Sequence, residues 1–164
     1  IRRQRQMCIR DRELGKELVI ENMDFDAVCL SVGQHKCDIA MAGLTINEER
    51  EEYVTFSDPY YKASQRLVTL ADDTAFDDCK DAASVEEVLK GLSASDKIGG
   101  QQGTTAQYFV EGSDDWGFEG LPAEWVPYKS ASLAVQDVIN GNVKYVIIDA
   151  APAESITKAI NAMQ

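Results

Sequence analysis

An arginine five residues after a threonine and seven after a glycine is the arrangement in this sequence with the clearest chemical use. In CDIAMAGLTINEEREEYVTFSDPYY, residues 37–61, Gly43 lets a ligand approach the backbone and Thr45 offers a hydroxyl and an N–H. Arg50 presents a planar fork that fits a carboxylate bidentately. The pattern predicts a buried strand over Asp38–Met41, a small-residue turn at Ala42 and Gly43, and a short helix opened by Asn47 with Arg50 in its first turn. An arginine there opposes the helix dipole, so an anion is expected to compensate it. The plainer alternative is a solvated surface arginine.

A second set of polar groups falls where open α/β sheets hold ligands, beyond the carboxyl ends of strands. Gln101-Gln102-Gly103-Thr104-Thr105 leaves a predicted strand, Lys97–Gly100, and enters a helix whose free N–H groups suit a carboxylate. Thr is equally an ordinary N-cap. Asp149 ends the β-branched run Val143–Ile148, where an unpartnered carboxylate is costly. Its alternative role is to cap a helix beginning near Pro152.

The pattern D-I-A-M-A-G-L-T-I-N-E-E-R followed by F-S-D-P-Y-Y resembles the signature of the polar amino-acid-binding proteins that serve ABC importers, solute-binding protein family 3. The resemblance runs from about Glu13 to Gln164. It implies an α/β, type II periplasmic-binding-protein-like fold: two βαβ lobes joined by crossing hinge strands, the first lobe incomplete. It also implies that Gly43, Thr45 and Arg50 hold the α-carboxylate of a free amino acid, with Thr104 and Thr105 donating to it from the second lobe. Gln101 would face the ligand side chain and Asp149 accept the α-ammonium. Ala106 departs from the pattern of some basic-amino-acid binders, which carry glutamine there.

The implied function is that of an extracytoplasmic solute-binding protein, located in the periplasm or lipid-anchored at the outer face of the membrane. It would close about its hinge on a polar amino acid and deliver it to an ABC importer permease, without cofactor, metal or catalytic residue. A lost lipid anchor would be its only membrane association, and an export signal is expected to have been lost from this sequence. Two rivals share the architecture. A cyclohexadienyl dehydratase would need a placed acid, and the sequence offers none beyond Asp149 and Glu48, both better explained otherwise. A receptor's sensor domain would be marked by a transmembrane helix after Gln164.

Composition sets the frame. The chain has 164 residues, 45% hydrophobic and 27% charged, with a formal charge of −12, ordinary for a soluble globular protein. The opening IRRQRQMCIRDR carries five arginines and one aspartate, with no apolar period. It reads as a basic arm or, more simply, as a non-native extension resembling a translated sequencing adapter, with Cys8 irrelevant. The rest holds 11 Lys and Arg against 27 Asp and Glu, a net of −16, which argues against nucleic acid. Cys29, Cys37 and Cys79 lack zinc-site spacing. Cys29 and Cys37 pack as small hydrophobes or, in an oxidising compartment, could pair. His35 belongs to a solvated turn.

The positioning elements follow from period and caps. Glu13–Leu18 predicts a helix end and Val19–Asn22 a strand. Asp24 is expected to cap a helix with Phe25, Val28, Cys29 and Val32 on one side. Arg66–Leu70 predicts a crossing strand. Ser84 and Glu87 suggest a capping box for a helix over Val85–Lys90, ended by a left-handed Gly91. Residues 113–127 read as loop-rich, their aromatics covering the core or, less favoured, cradling a ligand. A helix over Ser132–Asn140 would bury Leu133, Val135, Val138 and Ile139, and Gly141 would stop it. Pro152 would begin the last helix, with Ile156, Ala159, Ile160 and Met163 in one stripe. Residues 1–12 would thus be extension, 13–70 a partial first lobe exposing apolar surface, and 71–164 the compact second lobe.

Overall fold

A computed structural model describes residues 13–41 and 43–162. Residues 1–12, which include Cys8, and Ala42, Met163 and Gln164 lie outside them. Among the described residues four strands form one sheet in the order β1-β4-β2-β3: β1 (Gln65–Val68), β2 (Lys97–Gln101), β3 (Glu124–Tyr128) and β4 (Tyr145–Asp149). Strands β2, β3 and β4 are parallel, and β1 runs antiparallel against β4. The helices are α1 (Val28–Gly33), α2 (Glu48–Glu51), α3 (Ala82–Lys90), α4 (Thr105–Glu111), α5 (Ala131–Ile139) and α6 (Ala150–Asn161).

Strand β4 organises the core. Its residues Tyr145 to Ile148 are all buried, as a β-branched strand covered on both faces should be. Because side chains alternate across a strand, Val146 and Ile148 enter one layer with Ala134, Val135 and Val138 of α5 and Ala153 of α6. Tyr145 and Ile147 enter the other with Ile98, Trp125, Leu89 of α3, and Ala106 and Val110 of α4. Strand β2 passes between its neighbours on a glycine pair. A Cβ on Gly100 would lie 2.4 Å from Trp125 and 2.8 Å from the Ile147 carbonyl oxygen.

Several expected elements differ. Neither Val19–Asn22 nor Asp38–Met41 forms a strand, because a strand needs a partner ladder and none of the described residues supplies one there. Only Glu13 and Leu14 of the first predicted helix are helical. Residues Phe25–Ala27 make a 3-10 turn before α1, and the Asp24 side chain does not cap it. The segment 113–127, expected as loop, ends in most of β3, whose Pro127 is tolerated at a sheet edge.

Caps shift too. Helix α3 starts earlier, with Asp81 as N-cap and Ser84 as its reciprocal partner, and Gly91 is right-handed. Ser130 caps α5, which leaves Leu133 and Ile139 exposed and turns Ala134 into the core. Pro152 is the third residue of α6, not the first, and Ala159 is exposed. Cys29, Cys37 and Cys79 are free thiols, with Cys29 buried and its pKa raised by that burial.

Candidate functional site

The strand order places a topological switch between β4 and β2, and the polar groups collect at the carboxyl ends of these two strands. Gln101 ends β2, Asp149 ends β4, and antiparallel β1 begins with Gln65 directly opposite Asp149.

Arg50 approaches from the first half of the chain. Asn47 caps its short helix by accepting from the Arg50 N–H at 3.0 Å, which sets Arg50 in the first turn. The guanidinium donates from Nη1 to the Thr45 carbonyl at 2.7 Å and from Nη2 to the Gly103 carbonyl at 2.9 Å. It lies 5.6 Å from the centre of the Phe25 ring, a cation–π contact. The two halves abut here, since a Cβ on Gly103 would fall 2.8 Å from the Asp26 Cβ.

Gly43 has φ +66°, a conformation that favours glycine, and a Cβ there would stand 3.9 Å from Asp149 Oδ2. Asp149 occupies the N-cap position of α6 without capping it by its side chain. Its Oδ1 instead accepts from Gln65 Nε2, which also donates to Thr105 Oγ1 at 3.1 Å. Burial holds the Asp149 pKa above the ordinary carboxylate value, and the Gln65 bond partly offsets this. Among the described residues no ion pair joins Asp149 to Arg50.

Thr104 is the N-cap residue of α4, yet its hydroxyl donates to the Gln101 carbonyl at 2.7 Å rather than capping. Gln101 turns its amide to the Lys129 carbonyl at 3.2 Å and lines a cavity of about 30 Å³ with Phe25, Asp26 and Tyr128. One array therefore gathers Gly43, Asp149, Thr105, Arg50 and the Thr45 and Gly103 carbonyls. Gln101 lies on its Phe25 side. No group of three or more His, Cys, Asp or Glu side chains among the described residues could hold a metal ion.

Gln65 and Phe25 escaped the sequence reading. The sequence sets Phe25 only among the residues on one side of a helix with Val28, Cys29 and Val32. Nothing local marks Gln65, whose role depends on a cross-strand register.

The sequence profile of the bacterial extracellular solute-binding proteins, family 3, matches residues 10–162. The chain belongs to that family. This family 3 chain is 30% identical over 142 residues to the histidine-binding periplasmic protein of Escherichia coli K12, covering 81% of its own length and 48% of the relative. Against the arginine-bound form of a truncated ArgBP from T. maritima it is 30% identical with a TM-score of 0.69, covering 90% of itself and 62% of that chain. An ancestral amino-acid-binding protein, a precursor of cyclohexadienyl dehydratase, is 25% identical with a TM-score of 0.71, covering 92% and 60%. The family 3 chain has the α/β fold of the type II periplasmic binding proteins. It spans about half the length of the curated relatives it matches.

Proposed function

We propose that this family 3 chain forms the ligand clamp of an extracytoplasmic solute-binding protein that captures a free polar amino acid by hinge closure and hands it to an ABC permease. The observation that carries this reading is convergence. Arg50 and Gly43 come from the first half, Asp149, Thr104 and Thr105 from the second, and all meet at the β2/β4 switch point.

The chemistry suits a zwitterion. Arg50 supplies a fixed guanidinium for the α-carboxylate. The N-terminus of α4, at Thr104 and Thr105, adds donors of the same sign. Asp149 offers a carboxylate to the α-ammonium. Neither half holds both charges, so the ligand binds the closed arrangement better and shifts the open–closed equilibrium toward it. Relatives named for histidine and arginine, together with Asp24 and Asp26 beside Gln101, favour a basic side chain. Ala106 is buried in the core, so that side chain would find its partners on Gln101 and the Asp24–Asp26 turn.

The extracytoplasmic location and the permease partner rest on family membership. No helix among the described residues is long and apolar enough to cross a membrane. A dehydratase reading has less support: Glu48 is exposed on α2, and Asp149 is held by Gln65 in a position suited to a cation.

A thermal-shift screen of the full-length protein against the twenty amino acids tests the proposal. One or a few polar amino acids should raise the melting temperature, since a ligand at 100 times its Kd adds about 2.7 kcal/mol. The corresponding amino-acid amides should not. A protein indifferent to every amino acid, or one that converts prephenate to phenylpyruvate, would overturn it.

A further inference from the structure

We propose that Gln65 is the positioning residue for ammonium capture: from strand β1 it fixes the Asp149 carboxylate against Thr105, so that the second carboxylate oxygen faces Gly43. This inference rests on the amino-acid-binding reading.

The argument begins with the backbone. Gln65 and Asp149 are direct cross-strand partners in the antiparallel β1–β4 pair, so their side chains emerge side by side. A primary amide carries two N–H donors, and the Gln65 amide uses both. One goes to Asp149 Oδ1 and the other to Thr105 Oγ1. Three elements, β1, β4 and α4, are thereby joined at one nitrogen. With Oδ1 occupied, Oδ2 is the oxygen that faces the first half, 3.9 Å from a Cβ built on Gly43.

The choice of an amide has a physical reason. A lysine or arginine at this position would neutralise Asp149 and compete with an incoming ammonium. Alanine would leave Oδ1 without this donor and free the carboxylate to rotate. Glutamine supports the carboxylate while leaving its charge available. Its place on the strand connecting the two halves also ties the orientation of Asp149 to the segment about which closure would occur.

The test compares ligands with and without the α-amino group: L-arginine with 5-guanidinopentanoate, and L-histidine with imidazole-4-propionate. Calorimetric titration is run on the full-length parent, Gln65→Ala and Gln65→Met, the last keeping chain length without a donor. Both variants should weaken the bound amino acid roughly 10-fold and leave its des-amino counterpart within about 2-fold. Adding Gln65→Met to Asp149→Asn should cause no further loss, because the two act at one locus.

Unchanged amino-acid affinity in both variants would overturn the Gln65 proposal while leaving the amino-acid-binding reading intact. Equal losses for the amino and des-amino ligands would do the same, by showing a general structural effect. A parent that binds no amino acid would overturn both.

Discussion

Asp149 illustrates how a residue proposed to hold a ligand can oppose the stability of its own fold. Burial raises its pKa above the ordinary 3.8, so the fold prefers the protonated form, whereas an ammonium ligand needs the charged one. The sign follows from linkage. The Asp149 contribution to stability is greatest below its unfolded-state pKa and is lost as pH rises through its folded-state value. Asp149→Asn should therefore raise the melting temperature of the unliganded protein at neutral pH. The same variant should lose the amino-acid-induced shift. In the parent, ligand affinity should fall as pH drops through the raised value, beginning above the range of an ordinary carboxylate. A variant less stable than its parent at neutral pH would contradict the account. Arg50 permits a simpler test. Lysine lacks the two-nitrogen fork that meets the Thr45 and Gly103 carbonyls here and that grips a carboxylate bidentately. Arg50→Lys should weaken the ligand roughly 10-fold or more in calorimetric titration.

At the scale of elements, legibility tracked local information. Strand β4 and helices α3, α5 and α6 could be read because a β-branched run or a helical period survives without knowledge of partners. Strand β3 could not, because two prolines and two tryptophans across residues 113–127 read as loop. Its strand character comes from pairing with β2. The candidate site divides the same way. Gly43, Thr45, Arg50, Thr104, Thr105 and Asp149 stand out by residue type at strand and helix ends, whereas Gln65 matters only through the β1–β4 register. The value of the Gly99–Gly100 pair was also hidden, since it lies in the space those glycines leave for Tyr128 and Trp125. Gly100→Ala would press a methyl against both the Trp125 ring and the rigid Ile147 carbonyl. Overpacking of this kind costs about 1–3 kcal/mol. The central β2–β4 pairing is the element expected to suffer, and chemical denaturation should show a lower midpoint. An unchanged midpoint would mean that Trp125 rotates away freely.

For the whole molecule, the decisive asymmetry is where apolar surface is covered. Every buried apolar residue among those described lies between Val68 and Ala153, with the single exception of Cys29. The segment before β1 instead exposes Val19 at 73%, Ile20 at 62%, Tyr60 at 61% and Tyr61 at 60%. Besides the close approaches of Asp26 to Gly103, Gly43 to Asp149 and Phe25 to the Gln101 and Tyr128 cavity, it meets the sheet half through polar contacts: Arg50 on the Gly103 carbonyl, Tyr108 donating to Glu49 at 3.3 Å, and an exposed Lys129–Asp24 pair at 3.9 Å. Exposed pairs of this kind contribute at most about 1 kcal/mol. Local opening free energy follows buried apolar contact, so hydrogen exchange on the 164-residue chain should separate two populations. Amides of β2, β4, α5 and α6 should be the slowest, protected by roughly 10³-fold or more if their opening costs about 4 kcal/mol. Those of residues 13–61 should exchange near the unfolded rate. A bound amino acid would bridge Arg50 to the β2/β4 end, so saturating ligand in the full-length protein should slow residues 43–53 far more than the already protected β4. Equal protection in both halves without ligand would contradict the partition. Ligand-induced protection confined to β4 would place the amino acid away from Arg50.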